Sequence, residues 1–311
     1  MINFIDLFAG TGAFSHVLKQ KGCNCVFSND FTKSSESIYN LNNSHKLTLK
    51  DLNDVENDTI PSFDLLCGGF SCQPFSIAGK QLGFKDKRAN VFWKLIEIIT
   101  EHKPRFIILE NVKNLKSHNK GQTYITIRSS LENAGYLIKD KILDTCKHSS
   151  IPHHRERIYI VGFLNKTDYD NFNMEYKDVD NLDIKNFLED DIPDKYYYSD
   201  RYKIWDKIKD GVLKHVDTNT IYQYRRYYTR ENKSGKCPTL TANMGGGGHN
   251  VPLLRDDNGI RKLTPRECFN LQGFPSDYKL PKLSDSALYK LAGNAVSIPI
   301  VKLIVDELLS L

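Results

Sequence analysis

Nothing in the 311 residues approaches the ~20 consecutive apolar positions that a membrane-spanning helix needs. The amino end enters Ile2-Asn3-Phe4-Ile5 directly, without the basic segment and long apolar stretch of a secretory leader, so a cytoplasmic location is expected. The seven cysteines are odd in number and scattered without paired spacing, which argues against a disulfide framework and fits a reducing compartment. No internal repeat is visible. Charge of one sign is not in large excess either: a formal +5 tolerates a polyanionic partner without demanding one. What is present is ordinary for a globular chain, with 40% hydrophobic and 26% charged residues, and the length allows one large domain or two moderate ones.

The distribution of charge says more than its total. Residues 165–194 carry ten acids against three lysines, whereas residues 195–236 carry eleven Lys and Arg against five acids. The basic segment is interleaved with tyrosines such as Tyr197, Tyr202, Tyr224 and Tyr228. Such a segment can hold phosphates while rings and hydroxyls meet sugars or bases; a solvated surface over a tyrosine-lined core is the plain alternative.

The first 165 residues alternate short apolar runs with longer amphipathic ones. Strands are predicted at 2–8, 23–28, 63–67, 106–109, 137–143 and 158–163, and helices at 13–21, 34–41, 91–101 and 122–134. Alternation of this kind argues for an α/β fold built on a parallel sheet with helices on both faces, whose ligands collect at the carboxyl ends of strands. There the polar clusters fall: Phe8-Ala9-Gly10-Thr11-Gly12, Asp30, Cys72 in Gly68-Gly69-Phe70-Ser71-Cys72-Gln73-Pro74, and Glu110-Asn111-Val112. Past residue 165 the rhythm fails, and 181–286 reads as a smaller, irregular domain. The run 298–311 is again helical and apolar, and is expected to pack on the first domain.

Glycines in the first turn let backbone approach a ligand closely, although nicotinamide enzymes and plain turns share the pattern. Asp30, at a strand end, can accept hydrogen bonds from ribose hydroxyls, or can be a solvated rim charge. Arg155-Glu156-Arg157 leads into the strand at 158–163, and alternation puts both guanidinium groups on one side. Thr264-Pro265-Arg266-Glu267 reads as a helix start, with Thr at the cap and Pro in the first turn. Cys146, His148, His153 and His154 invite a zinc reading, but four closed ligands at familiar spacing are not evident, and no metal is expected.

The order of these clusters, continued by Arg261-Lys262-Leu263-Thr264-Pro265-Arg266-Glu267 and Gly293-Asn294-Ala295-Val296, resembles the DNA (cytosine-5) methyltransferase family, in its small bacterial restriction-modification form. The resemblance implies a Rossmann-like methyltransferase sheet over 1–180 and 287–311, with a mainly-β target recognition domain at 181–286. It implies S-adenosyl-L-methionine in a pocket lined by Phe8, Gly10, Gly12, Asp30, Phe31, Asp51, Leu52 and Asn294. It implies catalytic roles for Cys72, Glu110, Arg155 and Arg157, and DNA contacts from Ser76, Arg88 and Thr239, the last in Pro238-Thr239-Leu240-Thr241-Ala242. The implied reaction is methylation of cytosine C5 within a short specific sequence of double-stranded DNA. The enzyme is expected to be a monomer, paired in function with a restriction endonuclease and acting on the bacterial nucleoid.

Cysteine suits that reaction because C5 of cytosine is a poor nucleophile: a thiolate added at C6 breaks aromaticity and makes C5 enamine-like. The chain departs from the family at Ser71, where proline is usual, at His153, at Ala13, and at Ala89-Asn90. None of these removes a reactive group. A tRNA cytosine-5 methyltransferase shares the Cys and Glu chemistry but typically has a shorter centre, and a DNA-binding relative without catalysis would not need Cys72. A nicotinamide enzyme leaves Cys72, Glu110 and the arginines unexplained.

Overall fold

The computed structural model describes residues 1–70, 87–214, 220–225, 227–232, 234–246 and 251–311, with backbone alone at 87–90. Cys72, Ser76 and the side chain of Arg88 lie outside the described residues. The chain forms two compact units: Met1–Leu143, Glu156–Tyr176 and Val301–Leu311 make the first, Asp144–Arg155 and Lys177–Ile300 the second.

The first unit holds a seven-stranded sheet of β1 (Asn3–Leu7), β2 (Asn24–Asp30), β3 (Thr48–Leu49), β4 (Leu65–Gly69), β5 (Phe106–Val112), β6 (Leu137–Asp144) and β7 (Glu156–Phe163), in the order β3-β2-β1-β4-β5-β7-β6. β1 pairs in parallel with β2 and β4, and β4 with β5, whereas β7 runs antiparallel to β5. Strands buried on both faces need continuous apolar runs, which explains why Leu65-Leu66-Cys67 and Phe106-Ile107-Ile108-Leu109 show no polar alternation. Helices Ala13–Gln20, Lys33–Asn42 and Lys87–His102 supply the crossovers that parallel pairing requires, and Gln122–Asn133 links β5 to β6. One apolar cluster packs the sheet against Lys87–His102 and Gln122–Asn133, with Ile5, Leu66, Ile98, Leu109, Ile127 and Ile160 all fully buried. At about 25 cal/mol per Å2 of apolar surface, such fully buried side chains contribute roughly 1.5–3 kcal/mol each, which is what locks the strand ends in place.

Two expectations shift. β5 continues through the polar residues Glu110 and Asn111 to Val112, because β7 pairs with it along that whole length; Glu110 therefore sits within the strand rather than just after it. Thr48–Leu49 forms an edge strand too short to leave a pattern in the sequence. The carboxyl-terminal Val301–Leu311 does return to the first unit, where Asp306 ion-pairs with Lys21 and the Glu307 carboxylate accepts from the Asn173 N–H. The stretch Asp285–Leu308 is long and apolar enough by composition to cross a membrane, but 67% of its most apolar window is buried inside the protein, as in a core helix.

The second unit contains a four-stranded antiparallel sheet of β8 (Ile221–Arg225), β9 (Tyr228–Asn232), β10 (Leu253–Asp256) and β11 (Gly259–Lys262), ordered β11-β10-β8-β9. Helix Trp205–Leu213 covers it, placing Ile208 and Val212 against Tyr198, Tyr222, Leu253 and Ile260. Tyrosines of the basic segment thus divide: Tyr196, Tyr198 and Tyr222 are core, while Tyr227 and Tyr228 are exposed. Segment 181–286 lies wholly within this unit, which extends on either side of it. Helix Pro265–Asn270 starts as its sequence reads, with a reciprocal capping box between Thr264 and Glu267. Glu267 is fully buried and holds both terminal nitrogens of Arg261 at 2.8 Å.

Candidate active site

At the carboxyl end of β1 the chain turns sharply through Phe8 (φ 55°), Gly10 (φ 54°) and Gly12 (φ 70°). Gly12 is required twice over: its φ is left-handed, and a Cβ there would stand 2.9 Å from the Tyr39 ring. Asp30, at the end of β2, fixes this turn from the side. One carboxylate oxygen accepts from the Gly10 N–H at 3.0 Å and the other from the Thr32 N–H at 2.9 Å. Phe31, next in the chain, is 71% exposed, an unusual state for a ring that size. The Asn29 amide donates to the Thr48 and Lys50 carbonyls, each at 2.9 Å, which ties the chain before Asp51 to β2. Asp51 caps the turn Leu52–Asp54 through the Asn53 N–H, and Leu52 is buried. Seven of the eight expected cofactor residues therefore gather at neighbouring strand ends of one unit; Asn294 belongs to the other.

Beneath the turn lies a residue to which sequence reasoning gave no role. Asp6 is buried, and desolvation pushes its carboxyl up to about 7 despite hydrogen bonds from the Ser15 N–H and hydroxyl. Its position two residues before Phe8, inside an otherwise apolar strand, was the available signal.

Glu110 is 8% exposed and pairs with Gly69 in the β4–β5 register, three residues before Cys72 in the chain. Across the sheet Arg157 brings Nε within 3.1 Å of its Oε1. Asn111 donates its amide to the Phe70 carbonyl at 2.8 Å, and Phe70 packs on Phe92, so the last described residue before the cysteine loop is held on two sides.

Arg155 engages partners other than those of Arg157. It precedes β7, is 2% exposed, and its guanidinium reaches carbonyls of Leu240 (3.2 Å), Gly293 (3.3 Å) and Ala295 (2.6 Å) within the second unit. Gly293 must be glycine, since a Cβ there would lie 2.2 Å from the Thr241 backbone. Arg155 thus holds the end of helix Asp285–Asn294 and its cap Ala295 against Leu240, and Asn294 is exposed. Thr239 donates its hydroxyl to the His154 carbonyl at 2.6 Å. Both line a cleft of about 720 Å3, with Gln223, Arg225, Arg230 and Thr241 around it. Gln223 and Arg230 are cross-strand partners, and Arg225 donates to the Gln223 side chain at 2.9 Å. This face of the β8–β9 hairpin is therefore cationic and polar, while Tyr222 points into the core.

Among the described cysteines, none is poised as a thiolate. Burial raises the thiols of Cys23, Cys25, Cys67, Cys146, Cys237 and Cys268, to about 11 at Cys25 and Cys146.

Comparison with known proteins identifies the family. A family model described as C-5 cytosine-specific DNA methylase matches residues 2–310. The chain is 43% identical to the Type II methyltransferase M.Bsp6I of Bacillus sp. (strain RFL6), covering 99% of this chain and 98% of that one. It is 37% identical to the Type II methyltransferase M.HaeII of Haemophilus aegyptius, covering 98% and 92%. Among solved structures, the Dnmt2 methyltransferase of S. pombe shares the fold, with a TM-score of 0.78 over 100% of this chain and 99% of that one at 20% identity. The chain belongs to the C-5 cytosine-specific DNA methylase family.

Proposed function

We propose that this enzyme transfers a methyl group from S-adenosyl-L-methionine to C5 of cytosine within a short specific sequence of double-stranded DNA. The observation that carries the reading is the register of β4 and β5, which pairs Glu110 with Gly69 on the strand leading to Cys72, with Arg157 against the carboxylate. The raised thiols of the other six cysteines support Cys72 as the nucleophile.

The first-unit turn suits the cofactor. A Cβ on Gly10 would meet nothing nearer than the Phe8 carbonyl at 3.7 Å, so the backbone is open to close approach. Each Asp30 oxygen accepts one backbone N–H and keeps a lone pair for a ribose hydroxyl, and the bare Phe31 ring offers a face to adenine. Phe8, Gly12, Asp51 and Leu52 complete that wall, and Asn294 is assigned to it by the family pattern alone. When bound, the cofactor supplies an electrophilic methyl on sulfur.

The chain's own residues do the rest. The target base is extruded from the duplex, at a cost of a few kcal/mol, because its ring faces are covered in the stack. The Cys72 thiolate adds to C6, and the displaced electron pair moves toward N3 and O2. Glu110 stabilises it at N3 by hydrogen bonding or proton donation, and Arg157 holds O2. C5, now enamine-like, would be alkylated by the methyl that the bound cofactor supplies, whose sulfur would leave as a neutral thioether; loss of the C5 proton to a base and expulsion of the thiolate restore the ring. Arg155 positions the helix end at Asn294 rather than touching the base. Residues 181–286 read the flanking sequence, with the Gln223, Arg225 and Arg230 face and Thr239 toward DNA; Ser76 and Arg88 are further DNA contacts assigned by the family pattern alone. The relatives' Type II names suggest a restriction endonuclease of the same specificity as functional partner, and a cytoplasmic monomer is the expected form.

Labelled-methyl transfer to plasmid DNA and to tRNA, followed by bisulfite sequencing of the plasmid, tests this. Methylation at one recurring duplex sequence is expected; transfer to tRNA alone would overturn the DNA assignment.

A further inference from the structure

Away from the expected catalytic residues, three side chains of the second unit converge on one point. Asp144 ends β6, Cys146 follows on a single helical turn, and His154 comes back beside them as the Thr145 N–H bonds the Arg155 carbonyl. His154 Nδ1 lies 3.2 Å from Cys146 Sγ and 3.1 Å from Asp144 Oδ2, and Sγ lies 3.7 Å from Oδ2. In a proton relay the imidazole stands between its partners, one at each nitrogen. Here both partners approach Nδ1, which carries at most one proton, while Nε2 is 4.0 Å from the sulfur. Three lone-pair donors crowding a single centre is the arrangement a cation resolves.

The spacing fits one. Metal–ligand bonds of ~2.0–2.3 Å in a tetrahedron set ligand–ligand edges of roughly 3.4–3.6 Å, and the three observed edges lie within a few tenths of an ångström of these. Asp144 is preset for single-oxygen ligation. Its Oδ1 accepts from the N–H groups of Cys146 (3.2 Å) and Arg155 (2.9 Å), which fixes the carboxylate and leaves Oδ2 toward the sulfur. The Cys146 sulfur is inside, whereas the His154 side chain is 47% exposed, so an ion has a path in. His148 and His153 are not involved, since His148 faces the Lys177 carbonyl and His153 bridges the Leu271 carbonyl and the Leu240 N–H.

We propose that Asp144 Oδ2, Cys146 Sγ and His154 Nδ1 form a binding site for a thiophilic divalent cation of the zinc class, its fourth position open to solvent. Binding replaces the thiol proton, which leaves to solvent as the metal–sulfur bond forms. The Lys236 ammonium already hydrogen-bonds the thiol and must yield that bond to an incoming ion, so the site is weaker than a closed structural one. Because the His154 carbonyl anchors Thr239 at the cleft edge, occupancy stiffens the wall that residues 181–286 present to DNA.

The test is a Co2+ titration of the full chain, read by thiolate-to-cobalt absorption in the near ultraviolet and by the melting temperature. One-to-one binding at micromolar concentration is expected, with a raised melting temperature. The band should vanish in Cys146→Ser. Affinity should fall by about tenfold or more in His154→Ala and in Asp144→Asn, whose remaining carbonyl still serves the backbone N–H groups. Lys236→Met should tighten binding. A band that survives in Cys146→Ser, or no saturable binding at micromolar metal, would overturn the assignment.

Discussion

Replacing Arg155 by methionine separates the two arginines that the sequence presents as a pair. Methionine retains much of the stem volume but leaves the carbonyls of Leu240, Gly293 and Ala295 without the guanidinium that reaches all three. A buried acceptor that loses its donor costs ~1–3 kcal/mol, and partial relaxation brings the total to about 3–5 kcal/mol. For a chain this large that corresponds to a fall in melting temperature of roughly 6–20 °C. Arg157→Met removes one 3.1 Å ion pair at a site that also carries the proposed chemistry. Its expected signature is the reverse: a stability loss of about 1 kcal/mol and a much larger loss of turnover. Calorimetry and steady-state methyl transfer on both variants read the contrast. If Arg155→Met melts within about 2 °C of the parent, the three-carbonyl clamp is not what Arg155 contributes.

Asp6 supplies a pH dependence. Its folded carboxyl titrates near 7 against an unfolded value near 3.8, so its contribution is fully present below about pH 4 and is lost as pH rises through 7. Asp6→Asn should therefore melt higher than the parent at pH 8 and show a flatter profile between those limits; identical profiles would contradict this. Glu267→Ala leaves Arg261 buried beside Asp256 alone and should cost ~3–5 kcal/mol by urea unfolding, at the lower end because the 2.6 Å bond to Asp256 survives. A cost under ~1 kcal/mol would mean the pair is effectively solvated. Glu110→Gln should lower kcat by roughly 100-fold or more while leaving cofactor binding by fluorescence titration unchanged; undiminished turnover would remove Glu110 from the mechanism.

Local chemistry was legible in the sequence, and long-range chemistry was not. Apolar runs announced the long strands of the first sheet, and Thr264 with Pro265 announced a cap, because each depends on residues within a few positions. The Gly-rich turn and Asp30 were readable for the same reason. Thr48–Leu49 left no run to find. Glu110 looked like a residue beyond its strand, since the pairing that extends β5 comes from β7, some fifty positions away. Strand alternation gave no sign of the partners of Arg155, which lie 85, 138 and 140 residues on. Counting Cys and His by spacing overlooked Asp144, which enters the cluster only because the chain folds back on itself. Tyrosine enrichment could not say which rings were core; Tyr222 is buried, while Tyr228 on the paired strand is exposed.

The decisive measurement is a covalent trap. Duplex DNA bearing 5-fluorocytosine at the methylated position, incubated with the enzyme and S-adenosyl-L-methionine, leaves no C5 proton for elimination to follow. A denaturation-resistant adduct mapped to Cys72 by peptide mass spectrometry, absent in Cys72→Ser, is the expected result. Full methyl transfer by Cys72→Ser, or an adduct on another cysteine, would contradict the proposed mechanism.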